Sequence, residues 1–588
     1  MITTRINQLR EKMKERGIHA YIVPSADPHQ SEYVAEHFAQ REYITGFTGS
    51  AGTALITLDS AGLWTDGRYF VQAEEELKDT GVTLFRMGEK GVPTIFEYLN
   101  EELPNRSTIG FDGRVISLVY FRKLEKATQN KNFTFIGEHD LIGEIWSDRP
   151  QIPTTPVILH DVKYTGQYRE EKIQAVIEQM EAKGATHYLL SGLDDIAWLF
   201  NIRGHDIPYN PLTIAYAIIN LEGSFIYIDE KKLSEEIHHA LEAANITVYP
   251  YEQVGNDLEK IKEGKVLLDP SKTNLTLFNR IQVETIEDED ITTHLKAVKN
   301  ETELENLRDV MVRDGVAMVK FIRWVKETIK KQPITEVEAA KQLELFRAED
   351  ENYVNPSFAT ISAYGPNAAM PHYHATVDNQ STLEPKGFYL VDSGGQYYDG
   401  TTDITRTFAV GPLTDEEKRD FTLVLKGMIQ LSRQKFIYGV TGSNLDVLAR
   451  SAMWNEGIDF KHGTGHGIGF FLNVHEGPHR ISLAPNNVKL EQGMITSNEP
   501  GIYKAGRHGI RTENLLVVQK GEENEFGQFM EFETLTLCPI DLEAIDLNLL
   551  SDEEKNWLND YHQLVFNKLS PHLEGDDLTF LTNATKAI

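Results

Sequence analysis

The sequence predicts two tandem α/β domains followed by a larger α+β domain. Three observations predict it. At 588 residues the chain exceeds what one core usually organises, since domains run to about 100–200 residues. A helix, strand and Gly-rich turn pattern near the start recurs after residue 152. From about Glu301 the spacing changes to long helical periodicity, and strand-like runs follow it.

Residues 4–17 read as an amphipathic helix stopped by Gly17, leading into a strand at Ala20–Val23 and a polar turn, SADPHQ. GFTGSAGTALITL and LWTDGRYF then alternate glycine turns with β-branched and aromatic runs, as strands joined by tight loops do. The second pass opens with a helix over 169–184, a strand at His187–Leu190 and an acidic turn at Asp194–Asp195. DDIAWLFNIRG follows where the first pass has EYITGFTG, and SFIYID where it has GLWTDG. In the third part, NETELENLRDVMVRDGVAMVKFIRWVKETIKK and ITEVEAAKQLELFRAE space apolar residues by three and four, while FYLVDSG and NLLVVQ read as strands. The tail from Met530 carries one strand and a helix capped by Ser551 and Glu554, with Trp557, Leu558 and Tyr561 as its packing face.

Composition narrows the function classes. Hydrophobic residues at 40% and charged residues at 25% belong to a folded globular chain. The 89 acidic against 58 basic side chains give a formal charge of −31, which disfavours nucleic acid and anionic membrane surfaces as partners. The single cysteine, Cys538, excludes an internal disulfide framework and reads as a core residue. The polar start lacks the apolar stretch of a secretory signal, and the longest apolar runs are about half a membrane span. A cytosolic protein is expected.

The chemistry concentrates in five short segments of the third part: VDSGGQYYDGTTDITRT, HGTGHGIG, NVHEGP, TSNEPGIY and GIRTENLL. Asp392 and Asp403 are eleven residues apart, so a strand, a turn and a returning strand would bring both carboxylates to one point. Glu499 and Glu513, fourteen apart, have the same relation, and His466 adds one imidazole in a backbone-tight setting. Four clustered carboxylates repel one another and force proton uptake unless cations neutralise them. Two divalent ions would do so. Oxygen donors with one histidine suit manganese or cobalt, with zinc as an alternative, and disfavour a structural zinc site.

These segments, together with GFTGSAG, DGRYF, DDIAWLFNIRG, FETLTL and WLNDYH, resemble aminopeptidase P, the Xaa-Pro aminopeptidase branch of the pita-bread metallopeptidases, in its long, three-domain cytosolic form. The resemblance covers nearly the whole chain. It implies creatinase-like α/β domains over 1–152 and 153–298, then a pita-bread catalytic domain over 299–588 whose C-terminal extension is 519–588. It implies that Asp392 binds one ion, that His466 and Glu499 bind the other, and that Asp403 and Glu513 bridge both. A bridging hydroxide would then attack the bond before a proline at the second position. Glu499 would also move the proton, His372 and His475 would stabilise the substrate carbonyl, His462 would line the proline pocket, and Arg511 would sit at the far side of the site. Peptides with an Xaa-Pro N-terminus are the implied partners, and a homodimer through the C-terminal domain the implied assembly. Two rivals share this scaffold. A prolidase cleaves only Xaa-Pro dipeptides, and a noncatalytic pita-bread protein binds peptides without the metals.

Overall fold

The computed structural model describes residues 2–588, which divide into two compact units: residues 2–160 with 167–293, and residues 161–166 with 294–588.

The first unit holds two six-stranded sheets. In one, the strands run in the spatial order Thr83–Arg86, Ala61–Thr65, Thr53–Thr57, Ala20–Pro24, Thr108–Phe111, Thr134–Ile136. In the other the order is Ile246–Tyr249, Ser224–Ile228, Ala215–Asn220, His187–Leu190, Lys265–Leu268, Glu284–Glu287. Numbered along the chain within each sheet, both read 4-3-2-1-5-6. Strand 2 is antiparallel to strands 1 and 3, and the remaining neighbours are parallel. The tandem repeat expected from the sequence is therefore a repeat of topology. AGLWT and SFIYI, aligned by pattern alone, are each the third strand of their sheet.

Helices start and stop where side chains satisfy their free backbone groups. The opening helix spans Ile2–Glu15 and turns its buried Ile6, Leu9 and Met13 to the first sheet's core, and Gly17 follows at φ +65°. One expectation needs correction. Asp194 and Asp195 lie within a helix, Leu193–Phe200, rather than in a solvated turn. Asp195 is fully buried, 2.5 Å from Lys272 Nζ, and accepts a hydrogen bond from Thr292 Oγ1 at 2.9 Å. Its partners stand 77 and 97 residues away, beyond the reach of local pattern.

In the second unit, Asn300 and Glu303 form a capping box that starts the 28-residue helix Glu301–Thr328. Its apolar face shares one core with helix Asp415–Ser432 and with the tail helix Asp552–Leu569, whose Leu558 and Tyr561 are buried as expected. Cys538 is buried in a neighbouring cluster. Two antiparallel sheets frame the site. A three-stranded one orders Ile361–Tyr364, Phe388–Ser393, Ile404–Ala409, and a six-stranded one includes Gly465–Gly467, Ile495–Asn498 and Asn514–Asn524. Fully buried Arg406 ties them together, donating to the Glu513 carbonyl at 2.6 Å and to the Cys538 carbonyl at 2.9 Å. Among the described residues no helix is long and apolar enough to cross a membrane.

Candidate active site

Asp392 and Asp403 belong to the hairpin expected of them. Asp392 lies on Phe388–Ser393 opposite Thr405, and Asp403 immediately precedes the returning strand Ile404–Ala409. The eleven-residue connection also contains two short strands, Gly395–Tyr397 and Gly400–Thr401, that the sequence did not indicate. Glu499 and Glu513 flank the paired residues Asn498 and Asn514, and the hairpin Gly501–Lys504, His508–Arg511 projects between them. Backbone bonds fix both glutamates: Glu499 N–H donates to the Thr464 carbonyl at 2.8 Å and Glu513 N–H to the Thr405 carbonyl at 3.1 Å. The second of these carries Glu513 across to the sheet that bears the aspartates.

His466 sits on Gly465–Gly467 with its ring held edge-on to His475, centroids 4.3 Å apart. His466 Nδ1 donates to the Gly467 carbonyl at 2.9 Å, which leaves Nε2 as the lone-pair nitrogen facing the acids. That nitrogen lies 3.5 Å from Asp403 Oδ2 and 3.5 Å from Glu499 Oε1. One ligand atom each from Asp403, His466 and Glu513 falls within 4.8 Å of the others. Thr405 Oγ1 orients Glu513 by donating to Oε2 at 2.8 Å.

Arg511, buried with the acids, is their cation. It donates to Asp392 Oδ2 at 2.6 Å, to Tyr503 Oη at 2.6 Å, to Thr405 Oγ1 at 3.1 Å and to the Pro371 carbonyl at 3.3 Å. The last bond ties the backbone immediately before the half-buried His372 to the arginine of the cluster. The same segment rests on the Gly501–Arg511 hairpin so closely that a Cβ on Gly509 would lie 1.7 Å from the Ala368 carbonyl oxygen. His462 Nε2 lies 2.7 Å from Tyr503 Oη, so Tyr503 links His462 to Arg511. Sequence reasoning missed Tyr503 and Thr405. Tyr503 sits in the singled-out EPGIY and Thr405 in DITRT, and their spacing relative to the acids was the available signal.

The electrostatics state what the pocket lacks. Burial, then the neighbouring acids, pushes the Asp403, Glu499 and Glu513 carboxyls well above the usual carboxylate range. Asp392 Oδ1 and Glu513 Oε1 are buried without a hydrogen-bond partner. Orphaned carboxylate oxygens around one imidazole lone pair, with a single arginine against four acids, fit a pair of divalent cations in charge and donor type.

Residues 305–520 match the family model described as metallopeptidase family M24, and 528–588 that of the C-terminal region of this peptidase group. Residues 5–142 and 148–303 each match a creatinase/prolidase N-terminal domain. The chain is 42% identical to the "Probable Xaa-Pro aminopeptidase P" of Talaromyces marneffei over 99% of this chain and 92% of that one. It is 35% identical to an X-prolyl aminopeptidase of Caenorhabditis elegans, described as a cytosolic enzyme with a di-nuclear active site; the match covers 100% of both chains at a TM-score of 0.96. An Xaa-Pro dipeptidase of Bacillus anthracis, 24% identical, covers 64% of this chain and 99% of its own at a TM-score of 0.51, a likeness of fold alone. Tandem creatinase-type domains before a pita-bread domain, and this identity along the whole length, place the chain in the Xaa-Pro aminopeptidase P family of the M24 metallopeptidases.

Proposed function

We propose that this chain is a metal-dependent exopeptidase that removes the first residue from peptides with proline second. The observation that carries the reading is the convergence of Asp403, Glu499 and Glu513 on the His466 imidazole, with Asp392 held beside them by Arg511 and oxygens of Asp392 and Glu513 left unsatisfied in a buried pocket. Asp392 would hold one divalent ion, His466 and Glu499 the other, and Asp403 and Glu513 both; manganese is the proposed metal, with cobalt or zinc as alternatives. When bound, the ions supply a water acidic enough to act as nucleophile near neutral pH and polarise the scissile carbonyl.

The chain's own residues do the rest. Glu499 accepts the proton of the attacking water and passes it to the leaving proline nitrogen. His372 and His475 donate to the carbonyl oxygen as it gains charge. Arg511 fixes Asp392 and, through Tyr503, His462, which lines the proline pocket. Proline lacks an amide hydrogen and has a fixed φ, so a shaped apolar wall replaces the usual backbone recognition. We further propose a cytosolic homodimer through the C-terminal region and domain boundaries near residues 152 and 298; sedimentation tests the first and limited proteolysis the second.

The test is release of arginine from Arg-Pro-Pro by chelator-stripped protein, before and after manganese is restored, with Asp392→Asn alongside and Arg-Pro as the competing dipeptide. Metal-dependent release from the tripeptide by wild type alone supports the reading. Cleavage of Arg-Pro only would make the chain a prolidase. No release from either peptide by folded, metal-loaded protein would make it a binding protein.

A further inference from the structure

We infer that Glu336 is a positioning residue that sets His372 against the substrate carbonyl. The inference rests on the carbonyl-stabilising role given to His372 above. Glu336 opens helix Glu336–Arg347, where an acid ordinarily faces solvent and favours the helix dipole. Here its side chain is fully buried, and a buried carboxylate is costly unless hydrogen bonds replace its water.

Every donor that replaces that water comes from one stretch of chain, residues 364–381. The backbone N–H groups of Tyr364 and Ser381 donate at 2.7 Å each, Tyr373 Oη at 2.8 Å, and the Asn367 amide at 3.0 and 3.2 Å to the two oxygens. Asn367 reaches Tyr373 Oη and Ser381 Oγ as well, at 3.0 and 2.9 Å. The backbone of Glu336 completes the tie, its N–H donating to the Ser381 carbonyl at 3.1 Å and its carbonyl accepting from Ser362 Oγ at 2.6 Å.

This stretch contains His372, and apart from the short turn Gly365–Ala369 it has little regular structure of its own before Ser381. No strand ladder holds the imidazole. Both ends of the segment, its turn and the residue directly after His372 are instead gathered on one carboxylate. Charge-assisted bonds to a buried acid are strong and directional, so the site of convergence fixes the path of residues 371–373. Arg511, through the Pro371 carbonyl, holds the same path from the side of the acids.

The test compares metal-loaded wild type, Glu336→Gln, Tyr373→Phe, His372→Ala and the two double variants with His372→Ala, reading kcat and KM on Arg-Pro-Pro together with metal content. Glu336→Gln replaces one accepting oxygen with an amide NH2, which sets a donor against a backbone N–H donor, and Tyr373→Phe removes one donor at nearly constant volume. The expected result is a fall in kcat of about 10- to 100-fold for Glu336→Gln, the order produced by misplacing a catalytic group by about an ångström, and a smaller fall for Tyr373→Phe, both with KM nearly unchanged. In the His372→Ala background each change should cost less than about twofold, because residues that act through one group are not additive. Equal losses with and without His372 would overturn the inference, as would full kcat in the folded single variants. Should Glu336→Gln fail to fold, Tyr373→Phe decides alone. An unimpaired His372→Ala would sink the role given to His372, and this inference with it; additive losses beside an impaired His372→Ala would sink this inference only.

Discussion

Lys299 and Glu476 form an ion pair with each side chain 1% exposed, and Glu476 directly follows His475. Lys299 Nζ also donates to the Lys296 carbonyl at 2.9 Å. Glu476→Gln keeps the shape and removes the charge, leaving an ammonium in the interior with a neutral amide and one carbonyl. Breaking a buried pair from one side costs about 3–5 kcal/mol. In a unit of about 300 residues each kcal/mol moves the midpoint by about 1.5–2 °C, so the transition of the second unit should fall by roughly 5–10 °C. Scanning calorimetry of the metal-loaded protein measures it. Adding Lys299→Met removes the stranded charge and should recover at least half of the loss, since an apolar replacement of a buried pair is often neutral. A shift below about 2 °C for Glu476→Gln, or a double variant no more stable than the single one, would refute the claim that the charge, rather than packing, is what matters there.

Other outcomes follow from the same structure. Arg511→Lys keeps a cation but loses the fork that spans Asp392, Tyr503 and Pro371; each lost bond to a charged group is worth about 1.5–3 kcal/mol, so kcat/KM should fall about 10- to 150-fold with the protein folded. His475→Ala should lower kcat about 10²–10³-fold while two metals remain bound, the loss expected for a donor to the developing oxyanion; loss of metal instead would make His475 a support for His466. The raised carboxyls give a pH dependence with a definite sign. In metal-free protein Asp403, Glu499 and Glu513 hold their protons above the unfolded carboxylate range, so their contribution is full below about pH 4 and is lost as pH rises through the raised values. Metals replace those protons, so the difference in melting temperature between loaded and stripped protein should widen from pH 5 to pH 8. A constant or shrinking difference would contradict the assignment of these acids as ligands.

Much of the architecture was legible because it is written locally. The two six-stranded sheets repeat a periodic pattern, and the hairpins under Asp392 and Asp403, and under Glu499 and Glu513, follow from strand, turn and return within 11 and 14 residues. What escaped depends on contacts between distant segments. Asp195 looked like a turn acid because Lys272 and Thr292 lie far along the chain. Glu336 reads as an ordinary first-turn acid until residues 364–381 fold over it. Tyr503 reads as a strand aromatic, and only the fold sets its hydroxyl between Arg511 and His462. The four acids and one histidine proposed as ligands were readable for the opposite reason: four carboxylates and an imidazole gathered in short glycine-rich segments make little sense as a core and much as a cation site.

The count of divalent ions bound per chain tests the central claim most directly. Calorimetric titration of stripped protein with manganese, backed by elemental analysis, should give two ions per wild-type chain and fewer than two, with the fold intact, for Asp403→Asn and Glu513→Gln. Two ions retained in both variants, or a wild-type chain that binds none while folded, would contradict it.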